Sequence, residues 1–313
     1  MRLLVLGAGA IGGYFGGRLA ETGADVTFLV RPRRRAQLES DGLRLRSPLG
    51  DVDLPVKTVL AEELRPEYDV VLLTCKAYDL ESAMDAIAPA MTRAVVIPML
   101  NGMTHIERLT ERFGASQVMG GTCAINAGLE PDGVIRQTGK MQRLIFGELD
   151  ASASKRATAF ADALRKTNID WRLSDDIRQD MWEKIVFLSV LAAACSLFRA
   201  SAREIVAAPG GRDVLERGLA TNIAIATREG FPPRPAAIEF GRAMFDPAGT
   251  WSASMLRDIE AGAPVESDHI VGWMLDRARA HGLDDTLLSL AYTHLEAYEA
   301  RRAAGRLPGR QAS

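Results

Sequence analysis

MRLLVLGAGAIGGYFGGRLAETGADVTFLVR, residues 1–31, is the stretch whose reading decides the fold. An apolar run at 3–6 leads into Gly7-Ala8-Gly9-Ala10-Ile11-Gly12, and a small-residue helical stretch follows. A second apolar run, 26–30, ends in Arg31. This is the order of a strand, a tight turn, a helix and a second strand that together hold a dinucleotide. Gly7 permits the turn, Gly9 lets the backbone approach a pyrophosphate, and Gly12 lets helix pack close to strand. The pyrophosphate would sit at the helix N-terminus, where free N–H groups and the helix dipole favour negative charge. A GxGxxG alone is weak, because glycine turns are common in loops. Here a strand precedes it and a helix follows, so Gly7, Ala8, Gly9, Ala10, Ile11 and Gly12 are expected to bind cofactor.

The end of the second strand selects between cofactors. NAD sites place Asp or Glu about 20 residues on, to hold the ribose 2′-OH, whereas an arginine accommodates a 2′-phosphate. This chain has Arg31, Pro32, Arg33, Arg34 and Arg35, with no acid until Glu39. A guanidinium forks onto phosphate through two hydrogen bonds. Arg31 at the strand terminus therefore points to NADP(H). The sequence does not rank Arg33, Arg34 and Arg35, which read equally well as a solvated basic helix start.

With 313 residues, 47% hydrophobic and 25% charged, the chain has the make-up of a soluble globular protein of two domains. A formal net charge of −2 argues against a nucleic-acid binder. The first strand is expected to start at residue 2 and so no signal peptide is expected, and no run is expected to reach the apolar length of a membrane span. The expected location is cytoplasmic. Cys75, Cys123 and Cys195 are far apart in apolar surroundings, as reduced core thiols would be, and the four histidines lack metal-ligand spacing. No metal is expected.

Apolar runs at 69–74, 94–98, 117–124 and 142–147 alternate with helical patterns near 79–89 and 104–113, which predicts a mainly parallel sheet covered by helices. Residues 42–59 hold two short alternating segments around Pro48-Leu49-Gly50, a hairpin excursion. A helix at 152–166 and a strand at 170–173 close this half. After Ser174-Asp175-Asp176 strand signals fade, and helical periodicity runs over 177–198, 201–207, 210–229, 234–246, 251–260, 266–281 and 285–303. The expected fold is α/β: a Rossmann-type NADP-binding domain over 1–174, then an all-helical substrate domain over 175–313. Residues 301–313 read as a frayed tail. The apolar helices suit either a single-chain core or a homodimer interface.

In open parallel sheets, ligands bind outside the carboxyl ends of the strands. Lys76 follows the strand at 69–74, and Asn101-Gly102 follows the strand at 94–98. Both are candidates for the site, although a solvated loop end and ordinary turn chemistry account for them too. Lys184 opens a segment without another charge until Arg199. Burial there would lower its pKa and suit it to exchange a proton, and hydride addition to a carbonyl creates an alkoxide that needs one. On the residues alone, a lysine snorkelling from a helix end is the better reading.

Taken together, GAGAIG at 7–12, Arg31, Cys75-Lys76, Asn101-Gly102-Met103, Trp182-Glu183-Lys184, Ser254-Met255-Leu256-Arg257-Asp258 and Pro264-Val265-Glu266-Ser267-Asp268-His269 make a chain that resembles the ketopantoate reductases (2-dehydropantoate 2-reductases) along nearly its whole length. The resemblance implies NADPH-dependent reduction of 2-dehydropantoate to pantoate, a step of pantothenate biosynthesis. It implies that Lys184 is the general acid and that Glu266 orients or binds the substrate hydroxyl. Asn101 and Ser254 would hydrogen-bond substrate, Asn101 would also lie near the nicotinamide, and Lys76 would touch cofactor or substrate. Without the resemblance, Glu266 is simply an acid near a helix start and Ser254 an ordinary helix residue.

One departure bears on substrate. Ketopantoate-reducing members usually carry Asn one turn after this lysine and often again a turn later. Here those positions are Leu188 and Ala192. Removing groups that hydrogen-bond a hydroxyl relaxes or redirects selectivity. Two further readings follow: a reductase of a more apolar 2-oxo or 3-hydroxy acid, and a non-catalytic NADPH-binding regulator, against which the retained Lys184 and Glu266 argue.

Overall fold

In the first strand, β1 (Arg2–Leu6), alternate side chains enter different cores: Leu3 and Val5 pack on one side of the sheet, Leu4 on the other. A strand so placed has both faces covered, which is why it reads as a continuous apolar run. The computed structural model describes residues 1–246, 249 and 251–307, in two compact units.

The first unit comprises Met1–Leu100 and His105–Asp180. After β1 come α1 (Ala10–Glu21), β2 (Asp25–Leu29), α2 (Pro32–Asp41), β3 (Leu43–Arg46), β4 (Val52–Leu54), β5 (Lys57–Val59), β6 (Val70–Leu73), α3 (Leu80–Ile87) and β7 (Val95–Pro98). Five of these strands form a parallel sheet in the order β5-β2-β1-β6-β7. Tyr14, Phe15 and Leu19 of α1 join the core on the face of Leu3 and Val5, and Leu80, Met84 and Ile87 of α3 that on the face of Leu4. Chain order reverses at β1 and β6, so the carboxyl ends of these two strands mark the ligand crevice of such a sheet.

The α/β class is as expected, but there is a second sheet. The chain continues through α4 (Thr104–Phe113), β8 (Met119–Leu129), β9 (Ile135–Glu148), α5 (Lys155–Leu164) and β10 (Asp170–Leu173). Strands β8 and β9 form a long antiparallel pair, and the second sheet runs β10-β9-β3-β4 with β8 on β9. Only the buried ends of the pair are apolar enough to stand out in sequence. In its outer half β9 alternates buried and exposed residues over 135–138, as a one-sided strand does, and β8 holds no buried residue beyond Cys123. The excursion at 42–59 is divided: β3 and β4 form the antiparallel hairpin, while β5 pairs with β2 at the edge of the first sheet.

The second unit comprises Met181–Ser313 with Asn101–Thr104, and its elements are helical. The long helix α6 (Ile177–Phe198) leads into it, followed by α7 (Ala202–Ala207), α8 (Gly211–Arg228), α9 (Pro235–Ala243), α10 (Ser254–Glu260), a π-helical turn (Asp268–Gly272), α11 (Trp273–Ala280) and α12 (Thr286–Ala303). Contrary to the sequence expectation, α6 is long and apolar enough to cross a membrane by length and composition. It is mostly buried, however, and a helix apolar all round is what the centre of a helical unit demands. Asn222 of α8 fixes it by donating to Val186 O at 2.9 Å and Ser189 Oγ at 2.7 Å. Of the tail expected over 301–313, Arg301 to Ala303 complete α12, and residues from 308 onward lie outside the described residues.

Candidate functional site

The glycine turn is built by three different constraints. Gly7 has φ +92°, a left-handed conformation that side chains rarely adopt. Gly12 has no room for a side chain: a Cβ there would lie 2.2 Å from Gly7 O and 2.4 Å from Thr74 Oγ1. Gly9 is the opposite case, with nothing within 4 Å of where its Cβ would stand. It is also the N-cap of α1, where it supplies no side-chain cap, and the first turn carries no acid. A strained turn, a tight helix–strand approach and an open, anion-favouring cradle fit a dinucleotide pyrophosphate. Ala8 is buried, and Ala10 and Ile11 open α1 half-buried.

Side chains from distant positions brace this turn. Thr74, just after β6, donates its hydroxyl to Leu6 O at 2.6 Å. Arg34 donates Nε to Ala8 O at 3.1 Å and Nη1 to Gly133 O at 3.1 Å, so it holds the glycine loop. Burial pulls its guanidinium below the ordinary value, and the charge of Arg44 adds to the effect. Arg35 is forked onto Glu63 and bonded to Glu39, which raise its guanidinium above the ordinary value. The basic run thus separates: Arg34 and Arg35 serve structure, whereas Arg31 and Arg33 are exposed. Arg31 caps α2 with its side chain 83% exposed. Asp79 stands 3.7 Å from it, a carboxylate that a search along the neighbouring sequence does not reveal. A loose surface pair of this kind contributes little. Lys76, half-buried, follows β6 and Thr74.

In the second unit the geometry joins two of the expected residues. Lys184 Nζ donates to Asn101 Oδ1 at 2.9 Å. Asn101 precedes Gly102, whose φ is +85° and whose Cβ, if present, would lie 2.3 Å from His269 O in the π-helical turn. Only glycine allows this approach, so the turn presenting Asn101 is seated on 268–272. π-Helical turns concentrate at functional sites. Among residues 181–196, only Lys184, Phe187 and Leu188 are half-buried and the rest are buried, Ala192 included. The spacing i, i+3, i+4 puts these three on one face.

Ser254 is the first residue of α10 and is half-buried. Glu266 is buried just ahead of the π-helical turn, in a segment without regular structure. Helix α12 pins that segment. Tyr298 Oη donates to Ala263 O at 2.8 Å, Glu299 accepts from Val265 N at 2.8 Å, Glu296 from Ser267 Oγ at 2.8 Å, and Asp268 from Tyr292 Oη at 2.6 Å. Among the described residues, no group of three His, Cys, Asp or Glu is placed to hold a metal ion.

Two family models match this chain: "Ketopantoate reductase PanE/ApbA" over residues 3–151 and "Ketopantoate reductase PanE/ApbA C terminal" over residues 176–299. The chain is 35% identical over 304 residues to the uncharacterized oxidoreductase YkpB of Bacillus subtilis, covering 96% of this chain and 100% of that protein. It is 27% identical over 285 residues to the 2-dehydropantoate 2-reductase of Halobacterium salinarum, covering 90% and 94% respectively. The crystal structure of 2-dehydropantoate 2-reductase from Geobacter metallireducens GS-15 superposes with a TM-score of 0.87 at 28% identity, covering 95% of this chain and 99% of that one.

Proposed function

Because the chain belongs to the ketopantoate reductase family of oxidoreductases, we propose that it reduces a 2-oxo acid to the 2-hydroxy acid with NADPH. What supports this reading most is the 2.9 Å hydrogen bond from Lys184 Nζ to Asn101 Oδ1. A carbonyl reductase needs a proton donor that is aimed and still accessible, and a half-buried lysine held by a neutral amide meets both conditions. The bond fixes where Nζ stands, at the amide oxygen of Asn101.

When bound, NADPH supplies the hydride. Residues 7–12 hold its pyrophosphate at the start of α1, and Arg31 takes the 2′-phosphate. Lys184 gives a proton to the carbonyl oxygen as negative charge develops there, and regains one from solvent. Asn101 and Ser254 fix the acid in line, Lys76 holds cofactor or substrate, and Glu266 binds the hydroxyl that forms. The division of labour is a cofactor domain over 1–174 and a substrate domain from 175.

By the family's activity the acid is 2-dehydropantoate. A second reading, a more apolar 2-oxo acid, is favoured by Leu188, whose side chain shares the half-buried face with Lys184. Initial rates of NADPH oxidation over a panel of 2-oxo acids test both. Failure of every acid, with NADPH binding tightly, would leave a non-catalytic nucleotide sensor.

The cofactor assignment has its own test. Arg31→Ala is expected to raise KM for NADPH about ten- to a hundredfold, the effect of losing a charged hydrogen bond of roughly 1.5–3 kcal/mol. KM for NADH should hardly move. An unchanged preference between the two cofactors would remove Arg31 from the site.

A further inference from the structure

The open face of α6 continues into aromatic residues that the reduction of a carbonyl does not require. Phe187 meets Phe240 of α9 edge to face, with ring centroids 5.4 Å apart and planes at 76°. Phe240 meets Trp251 in the same way, at 6.2 Å and 81°. Trp251 lies three residues before Ser254, so the series starts beside the lysine and ends beside an expected substrate contact. Phe240 is 46% exposed even though it touches both neighbours. A single exposed ring is ordinary, but a continuous aromatic series next to a chemically active amine is a surface kept open for a ligand.

The chemistry of this series is one-sided. From residue 185 to residue 198 the helix carries no charged side chain. Leu188 adds only carbon beside Phe187, and Ser189 turns its hydroxyl inward to Ile185 O at 2.7 Å. A hydroxyl or a second carboxylate lying over Phe187 and Leu188 would lose water and meet only carbon there. Rings set edge to face leave further faces and edges at the spacing aromatic pairs prefer, which a flat ligand ring extends and a branched aliphatic chain does not.

Resting on the reductase reading above, we propose that the side chain of the 2-oxo acid is aromatic, recognised by Phe187, Phe240 and Trp251 with Leu188 beside them. A substrate whose carbonyl oxygen meets Lys184 lays its side chain over positions one turn further along α6, which are Phe187 and Leu188.

The test compares phenylglyoxylate and phenylpyruvate with 4-methyl-2-oxopentanoate, 2-dehydropantoate and 2-oxoglutarate, using the full chain and NADPH. Aryl acids should have at least about tenfold higher kcat/KM, within the range that apolar pockets reach. Phe240→Ala should lower kcat/KM for the aryl acids about three- to tenfold through KM, the effect of one aromatic pair, and lower that for the aliphatic acids less. Leu188→Asn should shift preference toward 2-dehydropantoate. Because Phe240 is half-exposed, an unchanged melting curve will show that Phe240→Ala is folded. Best turnover of 2-dehydropantoate by the parent, or equal losses for all acids in Phe240→Ala, would overturn the inference. If no acid is reduced, the reductase reading falls, and calorimetry of phenylglyoxylate with the NADP⁺ complex still decides: binding that Phe240→Ala weakens supports the aromatic site, and no binding overturns it.

Discussion

Lys184→Ala should abolish turnover while leaving NADPH binding intact. Positioned general acids contribute about 10²–10⁴-fold to rate, so kcat should fall by that factor. The loss should appear in kcat, because protonation of the developing alkoxide belongs to the transition state. Alanine is the best helix former, and Lys184 is half-buried, so α6 should persist. The residues assigned to the pyrophosphate lie in the other unit, and fluorescence titration with NADPH should give an unchanged Kd. Lys184→Arg should be nearly as inactive: a guanidinium keeps the charge but does not release its proton near neutral pH. Near-normal kcat in either variant would remove Lys184 from the chemistry.

The second large effect is expected at the glycine turn, where Gly12→Ala and Gly9→Ala should separate. A methyl at Gly12 would enter the space of Gly7 O, at 2.2 Å, and Thr74 Oγ1, at 2.4 Å. Neither neighbour is a flexible chain end: one is backbone and the other is bonded to Leu6 O. Helix α1 must move, at a cost of about 1–3 kcal/mol in stability, and NADPH binding should be lost with it. A methyl at Gly9 meets nothing within 4 Å. Gly9→Ala should therefore melt like the parent yet bind NADPH poorly, because the methyl stands where the pyrophosphate must approach. If Gly9→Ala bound NADPH as the parent does, the cradle would lie elsewhere. Thermal melts and fluorescence titrations on the two variants decide this.

Much of the architecture was legible because it is written locally. The strands β1, β2, β6 and β7 are short apolar runs with turn residues at their ends, and the long helices α6 and α12 run without an internal Gly or Pro. The turn at Gly7 and the close packing at Gly12 follow from a GxGxxG set between a strand and a helix. The remainder depends on residues far apart in sequence. Arg34 looks like its neighbours until its bond to Ala8 O is seen. Asp79, 48 positions further along the chain, comes within 3.7 Å of Arg31, out of reach of any periodicity. The same holds for the aromatic series, since nothing near Phe187 announces Phe240 or Trp251. Asn101 was expected from its place after a strand, but its hydrogen bond to Lys184 joins residues 83 positions apart. Helix α6 misled in the other direction, because burial inside a helical unit and burial in lipid select the same side chains.

The pinning of the segment around Glu266 by Tyr292, Glu296, Glu299 and Tyr298 has a consequence for biosynthesis. Domains fold as units and in the order in which the ribosome releases them. The first unit has all its strands once residue 173 has emerged, long before α12 exists. Glu266 is translated well ahead of the helix that fixes its surroundings. A nascent chain halted at 285 would therefore already hold the glycine cradle but leave the loop around Glu266 without its anchors, and competence to bind nucleotide would precede competence to turn over substrate.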